Sequence, residues 1–329
     1  MTLLTKDLFK HILLDPIRTG GRRIRILSGY ASPAMAIFHM KEAKDVLAAC
    51  GHPKDAISID LIVGMVAKDG ISRQDHEAYQ KLMADNPGAF SCSYVPKLDD
   101  LIPIHSKVYC WDSDMSCFVG SANYSQNAFS KDEETRKPDR QGNVAAVVGR
   151  QEAEGYIAEI ARDALPCTSS DIESFIKVAV KTKKVKDDAQ IVANGRIEVP
   201  LLTKSGDVGK RSGLNWGNRP EEGRNPDQAY IPLPASCRVG DFWPAIARPF
   251  IIYTDDGKVI DAARAQDGGK AIHSYRNNTI IGSYFRERLG IPSGQPVTLA
   301  DLLRYGRTSV VFTKIDDERF LMDFSKPKP

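Results

Sequence analysis

The sequence lacks the features of several protein classes. None of its apolar runs approaches the ~18 residues of a membrane span, and the N-terminal stretch mixes charged residues with its leucines, so we expect neither a signal peptide nor a transmembrane helix. Cysteine and histidine are scarce, with six of each, and they form no CxxC motif and no pair of histidines four residues apart. We therefore expect a cytoplasmic protein that has buried free thiols and needs no metal or other cofactor.

An excess of positive or negative charge is also lacking, so the net charge does not indicate what kind of partner the protein binds. Lysine and arginine total 45 against 42 aspartates and glutamates, a net charge of +3. Hydrophobic residues make up 42% and charged residues 26% of the 329, which is enough apolar content for buried cores and unlike a disordered chain. The length is roughly twice that of a typical domain, so two domains are expected.

The hydrophobic pattern changes twice along the chain and predicts domains at residues 1–165 and 196–329 with a basic linker at 166–195. Strand-like runs alternate with helix-like stretches before residue 165, which indicates an α/β domain. The linker contains five lysines in a short run, Lys177, Lys181, Lys183, Lys184 and Lys186; a solvated charged face is the alternative reading. Short β-rich pieces and two helical stretches, one opened by a Thr298 cap, favour a mainly-β barrel-like or sandwich domain after residue 196.

One window, IHSKVYCWDSDMSCFVGSANYSQNAF, gathers several polar groups with catalytic potential. His105 and Lys107 are two residues apart in a β-like run, so their side chains project from the same face. Ser121 and Asn123 come at the end of the next predicted strand. An imidazole can attack phosphorus, while a lysine and an amide donate hydrogen bonds to the phosphate oxygens, so the chemistry works without a metal ion.

The segments HSKVYCWD and GSANYS resemble the HxK…D…GSxN signature of the phospholipase D superfamily. In that family the histidine forms a covalent phosphohistidine, and a second histidine from a second copy of the motif protonates the leaving oxygen. The resemblance implies that His105 is the nucleophile, Lys107 and Asn123 hold the phosphate, Ser121 is a supporting hydroxyl and Asp112 is structural.

The sequence contains only one copy of this motif, so two such histidines can meet only if two chains do. We therefore expect a homodimer with one active site across its twofold axis. The superfamily also places a glutamate after the asparagine to orient the imidazole. Glu133 and Glu134 follow at ten and eleven positions, and the spacing favours Glu134; an ordinary solvated acidic loop is the alternative.

Two polar loops of the second half combine phosphate-binding and base-reading side chains. The first contains Lys204, Lys210, Arg211, Ser212, Asn215, Trp216, Asn218 and Arg219, and the second contains Lys270, His273, Arg276 and Asn277. Together with SGLNWGNR, NPDQAYIPLP and GSYFRERLGI followed by VTLADLLRYGR, they resemble the two DNA-gripping arms of the B-three pseudobarrel domain, in the form found in NgoFVII-type restriction endonucleases. The resemblance implies an α/β phospholipase D-like nuclease domain followed by a mainly-β B-three-like DNA-binding domain.

The leading hypothesis is a type II-like restriction endonuclease that cuts double-stranded DNA at specific sites without a metal ion. The resemblance implies that the linker covers the catalytic cleft until cognate DNA binds. It also implies that an ATP-dependent partner subunit is required, as it is for some relatives. Alternatives are a non-specific nuclease or phospholipase of the same superfamily, and a non-enzymatic DNA-binding regulator. A phospholipase would need a membrane-seeking amphipathic helix, which the sequence does not show, and the intact catalytic motif argues against a regulator.

Overall fold

The computed structural model describes residues 2–96, 103–113, 117–129, 142–175, 178–179, 195–238 and 240–326. They fall into two compact units, Met1–Thr182 and Lys183–Pro329. No helix within these ranges is both long and apolar enough to span a bilayer. The five linker lysines lie outside the described residues, and the predicted linker boundaries stay predictions.

The first unit is built from strands and helices that alternate along the chain. Its strands are β1 (Leu3–Leu4), β2 (Arg23–Ser28), β3 (Ser58–Val63), β4 (Ile71–Ser72), β5 (Phe90–Tyr94), β6 (Lys107–Trp111), β7 (Cys117–Gly120), β8 (Ala145–Val148), β9 (Leu165–Pro166) and β10 (Val178–Ala179). Its helices are α1 (Leu8–Leu13), α2 (Asp15–Arg18), α3 (Pro33–Ala49), α4 (Val66–Asp69), α5 (Arg73–Asp85), α6 (Arg150–Ala161) and α7 (Ile172–Phe175). The predicted α/β domain is confirmed.

Eight of these strands form one mixed sheet in the order β1-β8-β7-β6-β2-β3-β5-β9. The neighbours β2, β3 and β5 are parallel, whereas β6, β7 and β8 join them as antiparallel strands. One face is covered by α6, against which Leu27, Ile62 and Val108 pack. On the other face the ring of Trp111 lies against His39 of α3. Burial on both faces explains why the central strands read as nearly continuous apolar runs.

The strands β6 and β7 contain a disulfide between Cys110 and Cys117. The expectation that all cysteines are free thiols is therefore wrong for this pair. The two residues face each other directly in the antiparallel ladder, with Cα atoms 4.1 Å apart. This proximity depends on the strand register, which no sequence motif indicates. The other cysteines are free: Cys50 is exposed, and Cys92, Cys167 and Cys237 are buried.

A buried histidine makes the stability of the first unit sensitive to acid. His39 is fully buried; its Nε2 lies 3.2 Å from the Leu13 carbonyl oxygen and its Nδ1 lies 2.8 Å from the Tyr124 hydroxyl. A carbonyl only accepts, so Nε2 donates and the neutral ring accepts at Nδ1. Burial lowers the pKa of His39 from 6.5 to about 4.

We expect the free energy of unfolding to fall by about 2 kcal/mol between pH 7 and pH 5 on account of His39. Below pH 6.5 the unfolded chain binds a proton at His39, whereas the folded chain binds it only below about pH 4. Acid therefore favours unfolding. Urea unfolding at the two pH values measures this difference. His39→Gln should reduce it, whereas a change at His52, which lies in an exposed turn, should not. An unchanged pH dependence in His39→Gln would contradict the assignment.

The second unit is mainly β. Its strands are β11 (Arg196–Pro200), β12 (Ile231–Pro232), β13 (Pro249–Thr254), β14 (Val259–Ala265), β15 (Ala271–Ser274), β16 (Ser309–Lys314) and β17 (Arg319–Asp323), and its helices are α8 (Thr279–Leu289) and α9 (Leu299–Tyr305). The two predicted helices are confirmed, and Thr298 caps α9 in a capping box with Asp301.

Seven strands form one sheet in the order β11-β16-β17-β13-β14-β15-β12. Its two edge strands, β11 and β12, lie near each other, so the sheet is barrel-like and nearly closed, one of the two predicted architectures. The interior is packed with aromatic side chains: Trp243 stacks on Phe320, and Phe250 and Phe312 lie beside them.

A buried arginine joins the long segment between β11 and β12 to α8. Arg286 is 1% exposed, and its guanidinium donates to the carbonyl oxygens of Gln295 at 2.9 Å and Pro226 at 3.1 Å. Its Nε also lies 3.1 Å from a carboxylate oxygen of Asp227, which accepts further hydrogen bonds from Ser293 and from the backbone N–H of Gly294. This network fixes the base of the first polar loop.

Candidate active site

The candidate site lies at one end of the central strands of the first sheet, where β2 ends and β6 begins. The antiparallel pairing of β2 with β6 aligns Ser28 with Lys107, so His105, just before β6, lies beyond the end of β2. A Cβ on Gly29 would lie only 2.5 Å from the His105 ring, so the close approach requires glycine here. The strand β7 runs back beside β6 and ends at Gly120, which returns Asn123 to the same end of the sheet.

His105 and Lys107 are in direct contact. The ammonium Nζ of Lys107 lies 3.0 Å from His105 Nε2 and donates to the His105 carbonyl oxygen at 2.6 Å. An ammonium only donates, so Nε2 accepts, which leaves the ring proton on Nδ1 and a lone pair on Nε2. Lys107 is buried, and burial lowers its pKa. The exposed imidazole of His105 therefore offers a nucleophilic nitrogen beside a partly desolvated cation.

Tyr30, which the sequence reasoning missed, connects the two halves of this site. Its ring lies edge-on to His105, with centroids 5.5 Å apart, and its backbone N–H donates to Asn123 Oδ1 at 3.2 Å. Its hydroxyl donates to Asp69 at 2.5 Å, and this hydrogen bond raises the pKa of Tyr30. With Oδ1 occupied, the Asn123 amide nitrogen is the group left to donate to a phosphate oxygen.

The other predicted residues of the motif hold the surrounding backbone. The Ser121 hydroxyl donates to Asn143 at 3.0 Å and accepts from the Val144 N–H at 3.1 Å, which ties the end of β7 to the start of β8. One carboxylate oxygen of Asp112 accepts from two consecutive N–H groups, those of Arg22 at 2.8 Å and Arg23 at 3.0 Å. Both arrangements suit supporting roles.

Glu133 and Glu134, the predicted orienting residues, lie outside the described residues. Within the described part of the chain, no group of three or more His, Cys, Asp or Glu residues has the arrangement to hold a metal ion.

In the second unit, the first polar loop has its arginines paired within the loop. Arg211 contacts Glu221, Arg219 lies 3.2 Å from Glu222, and Arg224 donates to Glu222 at 2.6 Å. The hydrogen bond from Arg224 is the main cause that lowers the pKa of Glu222. Arg224 also lies over the ring of Trp216, 4.5 Å from its centroid.

The remaining predicted residues of this loop divide into exposed and inward-facing groups. Lys204 and Lys210 are exposed, and Ser212 is partly exposed. Asn218 donates to the Lys210 carbonyl oxygen at 3.1 Å. Asn215 is 2% exposed, and its amide exchanges two hydrogen bonds with the backbone of Val297, each 2.8 Å long. The structure thus places Asn215 in the interior, where it orders the loop.

The second polar loop does not bring its four predicted residues together. Lys270 is exposed before β15, whereas Arg276 and Asn277 follow that strand at its opposite end. Arg276 forms a two-pronged ion pair with the buried Asp261, at 3.0 Å on each prong, and Asn277 accepts from the N–H of Thr279 at the start of α8. The His273 Nδ1 lies 2.9 Å from Asn278 Oδ1.

Comparisons with known proteins agree with both halves of this description. Residues 6–174 match the family model of the NgoFVII restriction endonuclease N-terminal PLD (phospholipase D) domain, and residues 189–316 match that of the NgoFVII C-terminal B3-like DNA-binding domain. No protein of curated function matches the chain in sequence.

Among solved structures, the chain is similar to Nuc from Salmonella typhimurium, a phospholipase D family member, at 14% identity and a TM-score of 0.29, over 47% of this chain and 87% of that one. It is also similar to a polyphosphate kinase from Porphyromonas gingivalis, at 15% identity and a TM-score of 0.27, over 50% of this chain and only 24% of that one. These likenesses are too low to inform the chemistry. The two family models, by contrast, cover most of the chain in order and confirm the predicted fold class, so the chain belongs to the NgoFVII restriction endonuclease family.

Proposed function

We propose that this protein is a type II-like, site-specific DNA endonuclease that cuts through a covalent phosphohistidine on His105 without a metal ion. Membership of a restriction endonuclease family supports the nuclease activity. The observation that carries the mechanism is the contact of Lys107 Nζ with His105 Nε2 at 3.0 Å, because it places a cation beside an unprotonated nucleophile.

In the first step, His105 Nε2 attacks a phosphodiester phosphorus of double-stranded DNA. The Nε2–P bond forms as the bond from phosphorus to the leaving deoxyribose oxygen breaks, and Lys107 and Asn123 donate to the non-bridging oxygens. His105 of the partner subunit, in its imidazolium form, gives its Nε2 proton to the leaving oxygen. In the second step a water oxygen attacks phosphorus, the Nε2–P bond breaks and the water proton returns to the partner's His105. This sequence requires the homodimer.

The remaining predicted residues orient the catalytic histidine or bind DNA. Glu134 orients the His105 ring, with Glu133 as the alternative. The second unit binds DNA through exposed residues of its two loops, including Lys204, Lys210 and Lys270. An ATP-dependent partner subunit and a linker that covers the cleft stay expectations of the resemblance, and a cytoplasmic location stays an expectation of the sequence.

The decisive experiment is plasmid digestion in EDTA. We expect the purified protein to convert plasmid DNA into discrete fragments, because lysine supplies the positive charge at the phosphate and the second unit selects the sites. Gel electrophoresis of the products measures this. A smear would indicate a non-specific nuclease of the same superfamily. Intact DNA in EDTA that is cut once Mg²⁺ is added would contradict metal independence. Intact DNA under both conditions would favour a DNA-binding regulator or a missing partner subunit.

A further inference from the structure

Tyr30 has surroundings that packing of the core does not explain. The residue is 44% exposed, yet its side chain is engaged at both ends. The ring lies edge-on to the His105 imidazole, with centroids 5.5 Å apart, and the hydroxyl donates to Asp69 at 2.5 Å. A side chain fixed in this way loses conformational freedom and buries little surface in return. Its fixed position therefore serves something other than the core.

The backbone of Tyr30 is held independently of its side chain. Its carbonyl oxygen accepts from the Ser28 hydroxyl at 2.6 Å and from the Tyr124 N–H at 3.2 Å, and its N–H donates to Asn123 Oδ1. These contacts involve neither the ring nor the hydroxyl of Tyr30. A substitution of the side chain therefore leaves the Asn123 amide in place, and the role of the ring can be tested on its own.

Asp69, at the end of α4, is tied to the backbone just before Tyr30. Its N–H donates to the Met65 carbonyl oxygen at 3.0 Å, and the Met65 N–H donates to the Gly29 carbonyl oxygen at 3.0 Å. The acceptor of the Tyr30 hydroxyl is thus fixed relative to the start of the tyrosine itself. Because the acceptor is a carboxylate, this hydrogen bond is stronger than one between neutral groups. Asp69 therefore limits the directions that the Tyr30 ring can take.

The His105 ring needs a support of this kind when it attacks phosphorus. In the structure, His105 Nε2 accepts from Lys107 Nζ at 3.0 Å, and this contact orients the imidazole. The same lone pair must form the Nε2–P bond, so it cannot accept from Lys107 during that step. The ring then depends on its other contacts for its direction. The edge-on contact with Tyr30 is a contact between rings, which leaves the lone pair free.

We propose that Tyr30 is a positioning residue: its ring, anchored through Asp69, holds the His105 imidazole in the direction of attack on phosphorus. The inference rests on the proposed function, since it concerns the nucleophile of that reaction. The attacking nitrogen and the leaving oxygen must lie roughly in line through phosphorus, and a misplacement of about 1 Å can cost about 10²-fold in rate. Tyr30 thus acts through His105 and contacts no reacting atom itself.

The test uses the full-length protein and an end-labelled plasmid fragment that the wild type cuts once. The single-turnover cleavage rate, with protein in saturating excess, and the Kd for the same fragment are measured separately. Tyr30→Leu removes the ring, so we expect the rate to fall about 10²-fold while the Kd stays unchanged. Tyr30→Phe keeps the ring and loses only the hydrogen bond, so its rate should stay within about tenfold of the wild type. The control Tyr156→Leu removes a tyrosine of similar exposure, 36%, and should cleave at the wild-type rate.

Asp69→Ala provides the second arm of the test. It removes the acceptor of the Tyr30 hydroxyl, so we expect the same modest loss of rate as in Tyr30→Phe. The double variant Tyr30→Phe/Asp69→Ala should lose no more than either single variant, because both substitutions remove one interaction. Asp45→Ala removes an exposed carboxylate that pairs with Lys41 at 2.8 Å and should cleave normally. Losses that multiply in the double variant would contradict the anchoring of the ring through Asp69.

Circular dichroism and thermal unfolding establish that each variant is folded. A wild-type cleavage rate in Tyr30→Leu would overturn the positioning role while leaving the proposed function standing. Equal losses in Tyr30→Phe and Tyr30→Leu would show that the ring is not what holds His105, and a loss found only in the Kd would show that Tyr30 contacts DNA instead. If the wild type cuts no DNA, or if His105→Ala cuts as fast as the wild type, the proposed function fails and this inference fails with it.

Discussion

His105→Ala is expected to abolish DNA cleavage while leaving DNA binding unchanged. The substitution removes the nitrogen that we propose attacks phosphorus, and Lys107, which contacts it, cannot replace it as nucleophile. We expect a loss of at least about 10³-fold in the single-turnover cleavage rate. Binding should persist because the second unit supplies it. Cleavage of end-labelled DNA in EDTA and fluorescence anisotropy measure the two quantities separately.

The proposed covalent intermediate gives this prediction a more direct readout. Rapid quenching with SDS at alkaline pH, where a phosphohistidine is stable, should trap a protein–DNA adduct with the wild type and none with His105→Ala. Because His52 lies in an exposed turn away from the motif, His52→Ala serves as a control that should cleave normally and form the adduct. Cleavage by His105→Ala at a rate within tenfold of the wild type would contradict the assignment of the nucleophile.

The same variant tests whether one site is shared by two chains. When wild-type subunits are mixed with an excess of His105→Ala subunits and allowed to exchange, most wild-type chains enter mixed dimers. A site that needs His105 from both chains is inactive in a mixed dimer, so activity per wild-type subunit should fall as the excess grows. Activity that falls only in proportion to dilution would show that each chain cuts alone.

Arg286→Met is expected to destabilise the second unit by about 3–5 kcal/mol. The substitution leaves the Asp227 carboxylate without its cation, 3.1 Å away in the folded protein, and leaves the carbonyl oxygens of Pro226 and Gln295 without their donor. Such a loss is a large part of the stability of an ordinary domain. Urea unfolding of the full chain measures it, and DNA binding should weaken in parallel because the first polar loop loses its base.

The control for this prediction is Arg304→Met on α9. Arg304 also pairs with a carboxylate, that of Asp301 at 2.7 Å, but its side chain is 64% exposed. An exposed pair contributes little, so we expect a change below about 1 kcal/mol. If Arg286→Met changes the free energy of unfolding no more than Arg304→Met does, the network around Arg286 is not what holds the loop.

The sequence was most informative where chemistry and strand geometry coincide. His105 and Lys107 were predicted to share a face, and their side chains are in contact. Tyr30 was missed because its contacts with His105 and Asn123 arise from sheet register between residues far apart in the chain. The pairing of Cys110 with Cys117, only seven residues apart, escaped prediction because it depends on the register of β6 with β7.

Polar residues in loops were harder to interpret, since an asparagine or arginine that binds buried backbone looks the same in sequence as one that faces solvent. Asn215 and Arg276 were predicted as DNA contacts, yet the first is buried against Val297 and the second is locked to Asp261. The family resemblance located the loops correctly within a DNA-binding domain. Only coordinates show which side chains in them are already engaged.

If the first polar loop contacts DNA as we propose, its ion pairs have a consequence for how the protein finds its target in a genome. Arg211, Arg219 and Arg224 are held by Glu221 and Glu222, so each reaches a phosphate only by giving up a carboxylate. Such an exchange gains little free energy on random DNA, where no base contacts compensate. Since a genome offers about 10⁶–10⁹ competing sites, short dwell times at wrong sequences shorten the search. The loop binds stably only where contacts with the bases add to the affinity.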